Sequence, residues 1–86
     1  MKRQAFLDFL TSNGCLILRT DPKGYSVARN VINLKMSGIP KNDPLRPATV
    51  CRICKTLGIH PPEEVMAANA VIEFAHREHN HDGAGA

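Results

Sequence analysis

The chain has 86 residues, 43% of them hydrophobic, and a formal net charge of +3. A chain of this length builds one domain with a modest core, which excludes a large multidomain enzyme. No apolar run is long enough to cross a membrane, and no continuous apolar segment follows Met1-Lys2-Arg3. Neither a membrane span nor a signal peptide is therefore predicted.

The charge is unevenly distributed along the chain. Residues 1 to 60 hold ten Lys or Arg and three Asp, a net +7, whereas residues 61 to 86 hold one Arg and five acidic residues, a net −4. A basic body suits a phosphate-bearing partner, and an acidic segment can pair with basic surface on the same chain or on another protein. The alternative is that both are ordinary solvated surfaces.

A first helix is predicted over residues 3 to 13, with Gly14 as the residue that ends it. Its apolar residues recur at helical spacing: Ala5, Phe6, Phe9 and Leu10. The short apolar run from Cys15 to Arg19 predicts a buried strand. Asp21-Pro22-Lys23-Gly24 has the composition of a type I turn, so Tyr25 to Arg29 is predicted to return as the antiparallel partner.

The second half of the chain predicts one more strand and two helices. Ile32, Leu34 and Met36 alternate with polar residues, which predicts a third strand ending near Ile39-Pro40. Residues 40 to 47 are predicted as a loop. A helix follows Pro47 and ends at Gly58, with an apolar stripe at Val50, Ile53, Cys54 and Leu57.

Pro62, followed by Glu63 and Glu64, predicts the start of a third helix that extends to about Glu78. Residues 80 to 86 are predicted to be disordered.

The three cysteines and four histidines predict no metal site. An odd number of cysteines, with Cys51 and Cys54 on one helix, does not indicate a disulfide framework, so a reducing, cytoplasmic compartment is expected. His60 lies in a predicted loop, and the other histidines crowd the C-terminus at His76, His79 and His81. Neither group has the paired spacing of a structural zinc site. No metal and no cofactor are predicted.

A series of short matches spans residues 1 to 59. They are Asn13-Gly14-Cys15, Leu18-Arg19, Tyr25-Ser26-Val27, Ile39-Pro40 and Thr49-Val50-Cys51-Arg52-Ile53-Cys54-Lys55. In this order and at these spacings the chain resembles the HicA toxin family, small RNA-cleaving proteins (mRNA interferases) of toxin-antitoxin pairs. One extra residue is needed between Arg19 and Tyr25.

The resemblance implies an α+β fold of the αβββα type, like the double-stranded-RNA-binding domain. Two helices would cover one face of the sheet. The HicA-like domain would occupy residues 1 to 59, with an added C-terminal helix over residues 60 to 79 and a tail over residues 80 to 86. The partners that it implies are RNA (mRNA) and a HicB-like antitoxin that masks the toxin.

The family's catalytic histidine falls at the position of Tyr25. An imidazole can move the proton of a ribose hydroxyl near neutral pH, whereas a tyrosine side chain is protonated there and is a poor base. The resemblance therefore leaves three interpretations open: a catalytically impaired relative that still binds RNA, an mRNA interferase that uses another group, or a natural or engineered inactive variant. A further interpretation is that Tyr25 is a half-buried strand aromatic without chemistry.

Four basic residues are predicted to contact RNA phosphates. Lys23 and Lys41 lie in predicted turns or loops beside the sheet, and Arg19 and Arg29 lie on its strands. Two other classes remain open. Residues 47 to 65 also resemble the last helices of Xre-type helix-turn-helix DNA-binding regulators, which would require two short helices between Tyr25 and Ser37. A third class is a non-catalytic protein-interaction module.

Overall fold

The computed structural model describes residues 1 to 72, which form an α+β domain. The elements in chain order are α1 (Arg3–Ser12), β1 (Cys15–Thr20), β2 (Ser26–Asn30), β3 (Met36–Ile39) and α2 (Pro47–Leu57). Residues 63 to 72 are again helical and are labelled α3. The predicted order of elements is confirmed to residue 72. The predicted end of the third helix near Glu78 and the predicted disordered tail lie outside the described residues.

The three strands form one antiparallel sheet in the order β1-β2-β3. The hairpin between β1 and β2 forms where Asp-Pro-Lys-Gly predicts it, since the Gly24 N–H donates to the Asp21 carbonyl at 3.0 Å. The Asp21 carboxylate accepts the N–H groups of Lys23 and Tyr25, each at 3.0 Å. Gly24 has φ +94°, a conformation that residues with a Cβ rarely adopt. Tyr25 therefore belongs to the turn, and β2 begins one residue later than predicted.

The predicted third strand is wrong at its start. Residues 31 to 35 form a turn, and β3 contains Met36–Ile39 only. Asn30 explains the difference, because its side-chain oxygen accepts the Ile32 N–H at 2.9 Å while its amide donates to the Leu57 carbonyl at 2.9 Å. These bonds hold the chain in a turn that the apolar alternation alone does not reveal. Ile32 is left 86% exposed.

Both α1 and α2 pack on one face of the sheet. Cys15, Ala28 and Ile39 point to this face, as their pairing register and burial show. They share one hydrophobic core with α1, α2, the loop between β3 and α2, and the start of α3, through Phe6, Leu10, Leu45, Val50, Ile53, Cys54, Leu57 and Val65. The stripe predicted for α2 is confirmed. Its last residue is followed by Gly58 in the left-handed conformation, as predicted.

The other face of the sheet is uncovered by residues 1 to 72, and this corrects the prediction of a buried β1. Only Cys15 and, in part, Ile17 face the core, whereas Leu16 and Leu18 are exposed. A bulge between Ile17 and Arg19 shifts the register and places Leu18 as the extra residue. Within the same 72 residues, no helix combines the length and the apolar character that crossing a membrane requires.

Candidate functional site

The hairpin turn and the loop after β3 meet at one end of the sheet. A Cβ placed on Gly24 would lie 3.2 Å from the Cβ of Lys41, so the two segments are in close contact. Lys23 precedes this contact and Tyr25 follows it, and both are exposed. The structure therefore brings three of the predicted site residues, Lys23, Tyr25 and Lys41, to one end of the molecule.

Arg3 holds this end of the sheet together. Its guanidinium donates to the carbonyl oxygens of Pro40 at 2.9 Å and Gly24 at 2.8 Å, and to the Ser26 hydroxyl at 2.8 Å. The Arg3 backbone N–H donates to the Asp43 carboxylate at 2.9 Å. The first residue of α1 thereby fixes the hairpin against the loop that carries Lys41. Sequence analysis did not single out Arg3, because its partners lie 21 to 40 residues away in the chain.

An open depression of about 410 Å³ continues this surface beyond Lys41. Arg46, Thr49 and Arg52 line it together with Pro40, Asn42, Pro44 and Leu45. No carboxylate is among these lining residues, and both arginines are exposed. We call the set of Lys23, Tyr25, Lys41, Arg46 and Arg52 the basic end. The sequence analysis did not identify either arginine as a site residue. The pattern that could have indicated them is a basic residue on each side of the predicted start of α2, with Arg46 before Pro47 and Arg52 after it.

The two acidic side chains closest in sequence to the basic end are used by backbone groups. Asp21 accepts two N–H groups of the hairpin turn, and Asp43 accepts the N–H of Arg3. Within residues 1 to 72, neither carboxylate forms an ion pair with Lys23 or Lys41. The positive charge of these two lysines is therefore available to an anionic partner.

Tyr25 is 47% exposed, and hydrogen bonds to Asp21 hold both its backbone N–H and its carbonyl. Its N–H donates to the Asp21 carboxylate and its carbonyl accepts the Asp21 N–H at 2.8 Å. Tyr25 follows Gly24, the residue that contacts Lys41. A phenol at this position offers a hydroxyl that can donate a hydrogen bond.

Arg19 and Arg29 lie elsewhere. Arg19 pairs with Val27, and Arg29 pairs with Leu16 and Met36, so both arginines are on the uncovered face of the sheet. Lys23 and Lys41 instead lie in the hairpin turn and in the loop after β3. The four predicted RNA contacts are therefore divided between two surfaces.

Cys15 and Cys54 are core residues, and Cys51 is partly buried against the core. Burial raises the pKa of the Cys54 thiol to about 11, and the nearby Cys51 and Cys15 add to the shift. Burial also raises the pKa of the Cys15 thiol. Protonated, buried thiols are poor metal ligands and poor nucleophiles. Residues 1 to 72 contain no cluster of His, Cys, Asp and Glu that could hold a metal ion; His76, His79 and His81 lie outside the described residues.

The raised pKa of Cys54 predicts a loss of stability at alkaline pH. Above about pH 9 the unfolded chain releases a thiol proton that the folded chain retains until about pH 11. The free energy of unfolding should therefore fall across this interval, by up to about 3 kcal/mol, and this thiol should cause no pH dependence below about pH 9. Urea unfolding of the reduced protein at successive pH values measures the fall. The Cys54→Ala variant, compared over the same interval, should lose less; an identical loss would assign the effect to other groups.

Comparison of the chain with family models, with curated proteins and with solved structures yields no match.

Proposed function

We propose that the protein is a HicA-like, RNA-directed member of a toxin-antitoxin pair, with its RNA contacts centred on the basic end. The observation that carries this proposal is the meeting of Lys23, Tyr25 and Lys41 at one end of the sheet. The sequence resemblance assigns the family's catalytic histidine to the position of Tyr25, which lies two residues after Lys23 and directly after Gly24, the residue that contacts Lys41.

The architecture supports the same proposal. An αβββα order with both helices on one face is the arrangement that the resemblance implies. Double-stranded RNA is recognised mainly through its shape and its backbone, because the A-form major groove is too narrow for side chains. Exposed cations on turns and loops are suited to such contacts, and the basic end offers four of them, from the hairpin turn, the loop after β3 and α2.

With tyrosine at position 25, the basic end can bind a phosphodiester but lacks a general base at that point. Lys23 and Lys41 would neutralise phosphate oxygens, and the Tyr25 hydroxyl could donate a hydrogen bond. A ribonuclease mechanism also needs a group that accepts the proton of the ribose hydroxyl. The proposed role is therefore a cytoplasmic RNA-binding protein of impaired catalytic activity, neutralised by a HicB-like antitoxin.

The helix-turn-helix alternative requires two short helices between Tyr25 and Ser37, and the structure has no helix in that segment. Residues 26 to 30 and 36 to 39 form strands β2 and β3, and residues 31 to 35 form the turn between them. The protein-interaction alternative keeps a specific observation in its favour, the uncovered apolar face of the sheet that carries Arg19 and Arg29.

The salt dependence of RNA binding tests the proposal. Each phosphate contact contributes roughly 0.7 to 0.9 to the slope of log affinity against log salt, so the double variant Lys23→Glu/Lys41→Glu should lower the magnitude of the slope by about 1.4 to 1.8. Affinity is measured by fluorescence anisotropy with a short RNA duplex and with a single strand of equal length.

The matched control is Lys35→Glu/Lys55→Glu, which changes the net charge equally. Lys35 is the last residue of the β2–β3 turn and Lys55 lies in the last turn of α2, and both are exposed. The control should leave the slope nearly unchanged. Equal effects of the two double variants, or binding that does not respond to salt, would refute a site at the basic end.

A further inference from the structure

The face of the sheet that α1 and α2 leave uncovered is aliphatic. Leu16, Leu18 and Met36 are 53%, 47% and 49% exposed. An antiparallel sheet with one solvated face normally carries polar residues there, so large apolar side chains at these positions indicate a surface that another molecule covers. We call this surface the open face; it consists of Leu16, Leu18, Arg19, Val27, Arg29 and Met36.

The open face is concave at its centre. Leu18, Arg19, Val27 and Met36 line a groove of about 350 Å³ that crosses all three strands. The bulge at Leu18 brings this leucine and Arg19 to the groove together. An occupant would thus meet aliphatic walls and a guanidinium within one groove.

Charge defines the chemistry of the occupant. The three strands contain two arginines and no acidic residue. The Nε of Arg29 is buried, and no group within residues 1 to 72 accepts its hydrogen. A buried donor without an acceptor is unfavourable, and a carboxylate from a partner is the group that guanidinium geometry fits best. Small rearrangements of the exposed neighbouring side chains on binding would give it access.

The side chains favour a polypeptide over RNA. Recognition of unpaired RNA bases relies on aromatic platforms, and strands β1, β2 and β3 contain no aromatic residue. Aliphatic side chains interrupted by guanidinium groups are complementary to a segment in which apolar residues and carboxylates alternate. From these observations we infer that the open face docks an acidic, aliphatic segment of a partner protein.

This inference does not need RNA binding. If the proposed function is correct, the segment belongs to the antitoxin-like partner, and only that assignment rests on the proposed function. The open face and the basic end share no residue, so variants of the two surfaces can be tested independently.

The test uses fluorescein-labelled peptides of about ten residues, long enough to cross the sheet. One alternates Glu with Val, the second alternates Lys with Val, and the third alternates Glu with Ser. The full chain should bind the Glu-Val peptide at least about tenfold more tightly than either of the others. Leu18→Ser and Arg29→Lys should each weaken this binding several-fold, since lysine cannot form the bidentate contact.

Val71→Ser, at an exposed position of α3, is the matched control and should bind the Glu-Val peptide as the wild type does. Circular dichroism establishes that each variant is folded.

Equal binding of the three peptides, or binding unaffected by Leu18→Ser, would overturn the inference. Loss of RNA binding in Leu18→Ser would assign the face to RNA, and a wild-type dimer that Leu18→Ser dissociates would assign it to a second copy. Peptide binding without any RNA binding would support the inference while refuting the proposed function.

Discussion

Tyr25→His should increase RNA cleavage by roughly a hundred-fold to ten-thousand-fold over the wild type, the range that a positioned general base typically contributes. The structure favours a productive position for the new side chain. The backbone of residue 25 is held by two hydrogen bonds to Asp21, and the adjacent Gly24 contacts Lys41. An imidazole there would follow directly on Gly24, which contacts Lys41, and so would be added at the end of the sheet where we propose that RNA binds.

The measurement is the initial rate of cleavage of one labelled RNA by wild type, Tyr25→His and Tyr25→Phe, together with toxicity on expression. Leu16→His is the matched control, because it adds an exposed imidazole on the open face instead. Only Tyr25→His should gain activity. No gain in Tyr25→His over the wild type would show that position 25 is not placed within the roughly 1 Å that such chemistry tolerates, and would contradict the prediction.

Rapid cleavage by the wild type that survives Tyr25→Phe would contradict the assignment of this position. The chemistry would then lie elsewhere, and His60, which is exposed after α2, would be the next residue to replace.

Local interactions explain which elements the sequence predicts well. The Asp21–Gly24 turn closes through a hydrogen bond between residues three apart, and its composition is sufficient to place the hairpin. The α2 stripe is similarly local, because Val50, Ile53 and Leu57 follow helical spacing and all point to the core. Gly58 ends that helix through its own backbone conformation.

Contacts between distant residues explain the errors. Ile32, Leu34 and Met36 alternate as a strand would, yet Asn30 and Asn33 both donate to the Leu57 carbonyl and hold residues 31 to 35 in a turn. Leu34 has φ +64° there, which apolar alternation does not predict. The exposure of β1 has a similar origin, since a short apolar strand does not reveal that only one face of its sheet is covered.

In the candidate site, too, the features that local sequence predicts differ from those that depend on contacts between distant residues. Lys23, Tyr25 and Lys41 were predicted from turn and loop positions and from the family resemblance. Their proximity depends on Arg3, which no local pattern distinguishes from an ordinary surface cation at a helix start. The separation of Arg19 and Arg29 onto another surface follows from the strand register, which becomes fixed only once the bulge at Leu18 is known.

Arg3→Met should destabilise the protein by about 2 to 3 kcal/mol, which is large for a surface residue of a small domain. The substitution keeps an apolar stem of similar length but removes three donated hydrogen bonds, two of them to backbone carbonyls. Hydrogen bonds from charged donors contribute roughly 1.5 to 3 kcal/mol each when buried, and partial access of water reduces that sum. The free energy of unfolding is obtained from urea titration at pH 7.

Arg52→Met is the matched control, because it removes the same charge from an exposed arginine whose guanidinium makes no hydrogen bond within residues 1 to 72. Its effect should stay within about 0.5 kcal/mol. Arg3→Lys should be intermediate, since an ammonium group cannot reach three acceptors with the geometry of the planar guanidinium. Because Arg3 fixes the hairpin against the loop of Lys41, Arg3→Met should also weaken RNA binding under conditions where the variant remains folded. Equal stability losses for Arg3→Met and Arg52→Met would contradict this prediction. They would show that the loss of charge accounts for the effect, and not the loss of the hydrogen bonds to Gly24, Ser26 and Pro40. Arg3 would then not explain the geometry of the basic end.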